Sequence, residues 1–230
     1  HDIYADALRR LEEKGLTYRC ICRRADILAT QAPHESDGRV IYKGTCRPPR
    51  LGGTAEIPSD RHAATRLYVP DRTIVFTDRI CGPQNVNLAT QCGDFILRRA
   101  DGAWAYQLAV VVDDALMGVT EVVRGNDLLL STAQQIYLYE LLGYPVPGFA
   151  HLPLLCNAAG QRLSKRDGAM AMDALHAIHT PQSLLGHIAH LAGLLPAPAP
   201  IDLPDLLSIA CASSHPLFTS NHKKHLVNTN

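Results

Sequence analysis

Apolar residues recur at helical spacing at the start of the chain. Tyr4, Leu8 and Leu11 share one face, and Gly15 supplies a stop, predicting a first helix. Leu16 to Cys22 reads as a short extended segment. Thr65–Val69 and Thr73–Phe76 are short β-type runs split by Pro70-Asp71. Asp94–Arg99 and the residues from Trp104 onward read as a hairpin around Asp101-Gly102. The longest apolar feature is Tyr106 to Asp127. Its run Leu108–Val112 is long enough for a buried strand, which would deliver Asp113 and Asp114 at its carboxyl end. Open α/β sheets build ligand sites at such strand ends. A second apolar stretch follows and ends in Arg124-Gly125.

Ser131 followed by Gln134 is a capping-box pattern, predicting a helix that ends near Leu142 with Gly143 as the stop. His151–Leu155 reads as another short strand and Asn157–Gly168 as a polar loop. Ala171–Ile178 and Ser183–Leu195 are predicted helices, and Pro196–Pro204 is a proline-rich linker. Between Asp26 and Pro58, proline and glycine interrupt every pattern, so this region needs something other than a core to hold it. Ser213–Asn230 is polar and aperiodic, the signature of a mobile end.

Composition narrows the class. The 230 residues carry 22 Lys+Arg against 22 Asp+Glu, with 47% hydrophobic residues. Neutral bulk charge neither announces nor excludes a nucleic-acid partner, since a local basic patch suffices. No apolar run reaches the ~20 residues that span a bilayer. Seven cysteines, an odd count with two in C-x-C, argue against a secreted disulfide framework and for a reducing, cytoplasmic setting with a metal site.

Two clusters carry candidate chemistry. Cys20 and Cys22 are followed after 19 residues by Tyr42 and then Cys46. Three thiolates can hold Zn²⁺ with one further ligand, and a loop-rich segment would gain folding energy from the ion. The spacing equally suits three free thiols, and His34 and His62 are further candidates for the fourth place. Cys81, Cys92, Cys156 and Cys211 are scattered and read as structural. The second cluster is Arg162-Leu163-Ser164-Lys165-Arg166, three cations and a hydroxyl suited to a polyphosphate, or else a solvated basic loop. The pairs His176/His179 and His187/His190 lack neighbouring thiols or acids and read as ordinary helix-surface or core histidines. Arg23-Arg24 and Arg98-Arg99 read as solvated cations.

The RLSKR loop is similar to the KMSKS-type loop of class I aminoacyl-tRNA synthetases. The segment Val122 to Leu128 with Ser131-Thr132 resembles the matching part of the glutamyl-tRNA synthetase group. Cys20, Cys22, Tyr42 and Cys46 resemble the zinc cluster of one truncated branch, the glutamyl-Q tRNA(Asp) synthetases. The resemblance covers about residues 1–195. It implies an α/β fold, an incomplete Rossmann-type catalytic domain with a zinc-bearing insert and a helical carboxyl-terminal part. The corresponding divisions are 1–19, the remainder of the nucleotide fold; 20–65, the zinc insert; 66–170, the second catalytic half; 171–207, a stem-like helical part; and 208–230, a mobile tail.

The activity implied is activation of glutamate with ATP, with Mg²⁺, followed by transfer to queuosine in the anticodon of tRNA(Asp), by a monomer. Tyr106 and Arg124 would then bind glutamate. Arg162, Leu163, Ser164, Lys165 and Arg166 would bind ATP, and Cys20, Cys22, Tyr42 and Cys46 one zinc. The family's HIGH-like motif and amino-terminal glutamate-binding segment are not in the sequence, so half of the ATP site is expected to be missing. Arg162 stands where lysine is usual, Leu116-Met117-Gly118 is closer to full-length glutamyl-tRNA synthetases, and the residues after about Leu207 do not match. The competing expectations are a piece of a standard glutamyl-tRNA synthetase and a catalytically silent zinc-stabilised binding domain.

Overall fold

The structure, a computed structural model, describes residues 2–29, 41–49, 62–156, 172–212 and 226–227. They fall into two compact units. The first comprises His1–Phe76, Gln84–Val122 and Leu129–Gly148; the second comprises Thr77–Pro83, Val123–Leu128 and Phe149–Asn230.

In the first unit, α1 (Asp2–Glu13) leads into a three-stranded sheet of β1 (Thr17–Cys20), β2 (Ala64–Leu67) and β5 (Phe95–Arg98), with β2 central and antiparallel to both neighbours. A short helix, α2 (Arg24–Ala29), follows β1. The strands β3 (Thr73–Asp78) and β4 (Gly82–Asn87) pair with each other, their residues Thr77–Asp78 and Gly82–Pro83 belonging to the second unit, and a π-helical turn, Leu88–Cys92, returns the chain to β5. Helix α3 (Tyr106–Leu116) and helix α4 (Leu129–Leu142) pack against each other and against α1. Leu8 and Leu11 of α1, Leu67, Leu97, Leu108, Val111, Val112, Leu138 and Leu142 form the core.

The run Leu108–Val112 is helical, which corrects the strand expected there. Five consecutive apolar residues do not distinguish a buried strand from a buried helix. Here Leu108, Val111 and Val112, at i, i+3 and i+4, are wholly buried, and α1 and α4 supply the surface that covers them. Asp113 therefore sits near the end of a helix, where both carboxylate oxygens accept the Tyr4 hydroxyl, at 2.8 and 2.9 Å. It locks α3 to α1 rather than ending a sheet.

The helix after Arg124 starts at Leu129, behind a 3-10 turn at Asn126–Leu128, so Ser131 lies inside it, buried, instead of capping it. Its end is as expected: Gly143 adopts φ +69°, and the Tyr144 N–H bonds the Tyr139 carbonyl. The last carbonyls of α4 also receive Arg10 of α1, on Leu142, and Lys14 of the turn after it, on Leu141. Cations placed there satisfy unpaired acceptors and oppose the helix dipole.

Asp94 ties the cysteine segment to the sheet. Its buried carboxylate accepts the Tyr18 hydroxyl at 2.5 Å, the Val69 N–H at 2.8 Å, and Arg47 Nε and NH2 at 2.8 and 2.7 Å. Its carbonyl accepts Arg66 NH1 at 2.8 Å. The preceding Gly93 (φ +66°) forms a bridge with Tyr42, and a Cβ there would lie 2.7 Å from the Tyr42 carbonyl oxygen.

In the second unit, β6 (Glu121–Gly125) pairs with β7 (Gly148–Leu152). After β8 (Leu155–Cys156), which is paired in parallel with β9 (Leu226–Val227), come α5 (Met172–Ile178), α6 (Pro181–Leu191) and α7 (Leu203–Ala212). Thr180 caps α6 through the Ser183 N–H, with Pro181 in its first turn. Gly186 of α6 lets the backbone of Ala199 lie against the helix, since a Cβ would fall 1.8 Å from the Ala199 carbonyl oxygen. No helix of the described residues is long and apolar enough to cross a membrane.

Replacing Asp94 by alanine strands a buried hydroxyl, a buried N–H and half of an ion pair. The expected loss is about 3 kcal/mol or more, read as a lower urea midpoint with unchanged slope. A loss below about 1 kcal/mol would show that these donors find other partners.

Candidate functional site

The cysteine–tyrosine cluster lies wholly in the first unit. Cys20 comes from the end of β1, Cys22 from the turn after it, and Tyr42 and Cys46 from the 41–49 segment that Asp94 and Gly93 hold in place. The sulfurs of Cys20, Cys22 and Cys46 all lie within 4.8 Å of one another, with Cys22 and Cys46 3.4 Å apart. The Tyr42 hydroxyl is 3.4 Å from the Cys20 sulfur and 3.6 Å from that of Cys22, and it accepts the Cys46 N–H at 2.7 Å. Tetrahedral ligands with metal–sulfur bonds of about 2.3 Å lie roughly 3.8 Å apart. The three sulfurs are close enough together to share one metal ion, and the Tyr42 hydroxyl lies beside two of them; three sulfurs with one oxygen is a suitable donor set for a borderline-soft cation. His62 is described elsewhere, in the segment leading to β2; His34 lies outside the described residues.

Burial pushes the Tyr42 phenol well above its ordinary range, with the hydrogen bond to Cys20 acting in the same direction. Burial likewise pushes the Cys22 thiol up to about 11. Cys46 goes the other way. Burial acts to raise it, but a backbone hydrogen bond from Ile21 and contacts with Tyr42, Cys22 and Cys20 outweigh that and hold it below the ordinary thiol value. The Arg66 guanidinium lies 3.8 Å from the Tyr42 ring centroid, and its buried Nε has no hydrogen-bond partner among the described residues. A cation on the ring face is attracted by the negative face of the aromatic ring.

Arg124 lies on β6 in the second unit, half-buried, with its guanidinium 5.7 Å from the centroid of Phe149. Its Nε–H donates to Nε2 of His151 at 3.0 Å. On the other side of the same ring, His151 Nδ1 is 2.6 Å from Asp78 Oδ2. Asp78 Oδ1 accepts three backbone N–H groups: Ile80 at 3.0 Å, Cys81 at 2.8 Å and His151 at 3.1 Å. His151 and Asp78 are almost wholly inaccessible to solvent. Burial would raise Asp78, but these N–H donors, Cys81 foremost, and the imidazole hold it below the usual carboxylate value. Burial lowers His151 despite Asp78, and Arg124 lowers it further. Gly125 permits a close approach here: a Cβ would meet Asp127 Oδ1 at 2.7 Å and Leu154 at 3.0 Å.

The sequence reading assigned no role to Asp78 or His151. A lone acid at the end of TIVFTD and a lone histidine within FAHLPLL are each a buried polar residue in an apolar strand. That pattern demands a partner without naming one, and the two residues stand 73 positions apart. Tyr106 is the first residue of α3 and half exposed. Arg162, Leu163, Ser164, Lys165 and Arg166 lie outside the described residues. Asp113 is engaged with Tyr4. His179 and His187 bring their rings to 5.0 Å, and His187 and His190 each pair Nδ1 with a backbone carbonyl.

The family of class I tRNA synthetases for E and Q, catalytic domain, matches residues 1–197. The chain is 47% identical over 220 residues to the glutamyl-Q tRNA(Asp) synthetase of Symbiobacterium thermophilum, covering 90% of this chain and 65% of that protein. It is 47% identical over 210 residues to the protein of the same name from Neisseria meningitidis serogroup C, covering 91% and 68%. With the one from Thiobacillus denitrificans it shares 47% over 200 residues, covering 84% and 64%. The chain thus spans about two thirds of the length of these curated relatives. Among solved structures, a glutamate tRNA ligase from Elizabethkingia meningosepticum in complex with its amino acid superposes with a TM-score of 0.56 at 31% identity, covering 73% of this chain and 35% of that one.

The depressed His151 pKa has a definite sign. The unfolded state takes up a proton below about pH 6.5, before the folded state does, so stability falls as pH drops from there toward the folded value. Asp78, with its folded pKa lowered, contributes fully above about pH 3.9 and loses that contribution as pH falls through its folded value. Urea midpoints measured from pH 7.5 to pH 5 should decline in the wild type, and the decline should flatten in His151→Gln. Parallel curves would contradict a buried neutral imidazole.

Proposed function

Because the chain belongs to the family of class I tRNA synthetases for E and Q, we propose that its protein activates glutamate with ATP as glutamyl-adenylate. The glutamyl group then passes to queuosine in the anticodon of tRNA(Asp). The fold read in this way is a Rossmann-type catalytic domain with a zinc-bearing insert. The observation that carries the choice of acceptor is the convergence of Cys20, Cys22, Tyr42 and Cys46, the cluster that resembles the glutamyl-Q branch. Relatives of that name at 47% identity support the same reading.

The roles follow from side-chain chemistry. The planar fork of Arg124 suits a carboxylate of glutamate, and Tyr106 offers a hydroxyl to the same substrate. Lys165, with Arg162 and Arg166, neutralises charge on the ATP phosphates together with Mg²⁺, while Ser164 and the backbone at Leu163 position them. The glutamate carboxylate attacks the α-phosphorus and pyrophosphate leaves, so catalysis consists mainly of alignment and charge stabilisation. Zinc held by Cys20, Cys22, Cys46 and Tyr42 would act structurally, fixing a segment that lacks a core of its own.

The second reading, a standard glutamyl-tRNA synthetase, is favoured by the likeness to the glutamate tRNA ligase structure. One experiment separates the two. Radiolabelled glutamate is offered with ATP to queuosine-containing tRNA(Asp), to tRNA(Asp) lacking queuosine, and to tRNA(Glu). Label is expected on the first alone, with glutamate-dependent ATP–pyrophosphate exchange falling about 100-fold or more in Lys165→Ala. Label on the 3′ end of tRNA(Glu) would overturn the acceptor assignment. Protein washed with a mild chelator should retain close to one zinc per chain, as read by atomic emission, and Cys46→Ser should lose it. Metal-free wild-type protein of unchanged stability would defeat the zinc assignment.

A further inference from the structure

We propose that His151 and Asp78 are positioning residues for substrate: they fix the plane in which the Arg124 guanidinium meets the carboxylate of glutamate. The inference rests on the reading of Arg124 as a glutamate contact and adds what sets its aim. An arginine side chain has long rotatable reach, and a fork that binds a carboxylate in two places needs its plane fixed. The guanidinium of Arg124, on β6, lies over the Phe149 ring of β7 at 5.7 Å from its centroid, and His151 Nε2 takes the Nε–H. With Nε–H engaged by the His151 ring, the plane of the guanidinium is fixed relative to β7.

The bond to Arg124 requires one tautomer. Arginine is always a donor, so His151 Nε2 must carry its lone pair, and the ring proton must sit on Nδ1. Asp78 enforces this. Its Oδ1 is filled by the N–H groups of Ile80, Cys81 and His151, which favour the ionised form, and Oδ2 faces Nδ1 at 2.6 Å. A carboxylate accepts and does not donate, so Nδ1 donates to it. The lowered pKa values of both groups agree with a neutral ring against an ionised acid. All three residues belong to the second unit, on β3, β6 and β7 or at their ends. Nothing in catalysis passes through His151; its contribution is the direction in which Arg124 points.

Asp78→Asn is the discriminating variant. An asparagine there can still accept the three backbone N–H groups through Oδ1. It would, however, donate to Nδ1, forcing the proton of His151 to Nε2, where it opposes the Arg124 Nε–H. In the intact protein, ATP–pyrophosphate exchange should then show the KM for glutamate raised about 10- to 100-fold, with the KM for ATP and the melting temperature near wild type. His151→Gln, which can place an acceptor near the Nε2 position, should recover part of that loss, whereas His151→Leu should not. Long-range ¹H–¹⁵N spectra of the wild type should show His151 as the Nδ1–H tautomer, and those of Asp78→Asn the Nε2–H tautomer.

An Nε2–H tautomer in the wild type would overturn the proposal, whether or not any variant folds. So would an unchanged glutamate KM after the tautomer flips, or a parallel rise of both KM values with a drop in melting temperature. Arg124→Lys separates the layers. If it loses glutamate affinity while Asp78→Asn and His151→Leu do not, the positioning role alone fails. If Arg124→Lys leaves the glutamate KM unchanged, the reading of Arg124 as a substrate contact fails, and the positioning role with it.

Discussion

The buried carboxylate of Asp94 is the point from which the first unit is held together. It joins Tyr18 of β1, the backbone after β2, and Arg47 of the cysteine-bearing segment. A charge removed from water is tolerated only when its lone pairs are filled, and here four N–H or O–H groups converge on it. That satisfaction has a geometric consequence. Arg47 can reach Asp94 only if residues 41–49 lie beside the sheet, and that placement brings Tyr42 and Cys46 to Cys20 and Cys22. The adjacent Gly93 acts in the same direction, since its lack of a Cβ lets the Tyr42 backbone come against it. The metal-competent cluster is therefore partly organised by protein contacts before any ion contributes.

Asp78 repeats this device in the second unit with a different outcome. It too is a buried acid whose one oxygen is filled by backbone N–H groups at the end of a strand. Its other oxygen is spent on an imidazole instead of a cation. At Asp94 the chain of contacts ends in an arginine that pins a loop; at Asp78 it passes through His151 to an arginine at the far end. Local backbone donors fix Asp78, while the Tyr18 hydroxyl and the Val69 N–H help fix Asp94, and from each acid the contacts lead on to an arginine.

How much of this was legible in the sequence depended on the range of the interaction. The first helix and the Gly143 stop follow from residues within a turn of each other and are present, and the Asp-Gly turn forms too, though its return strand shrinks to a single bridge at Trp104 before α3 begins. The cysteine–tyrosine cluster was visible because cysteine is scarce and its spacing informative, though the two halves meet across a long excursion of chain. The strand assigned to Leu108–Val112 failed because the apolar run itself is the same for either geometry. What decided it was a partner surface, α1 and α4, supplied from distant sequence. Asp78 and His151 were silent for a related reason. Each looks like an isolated polar residue in an apolar strand, and their meaning appears only when β3 and β7 deliver them to the same place.

The same contrast separates recognition from explanation at Arg124. The segment Val122–Leu128 can be matched to a family by its letters, and the match names an arginine. It does not say why an arginine there would be effective. An unsupported guanidinium on an extended strand samples many rotamers, and binding a carboxylate would have to pay for freezing them. Lying over the Phe149 ring and tethered through Nε to an imidazole that is itself held by Asp78, Arg124 has part of that ordering already imposed by the fold. A motif names the arginine proposed as the contact; the contacts that hold its side chain in place are distributed over positions that carry no motif at all.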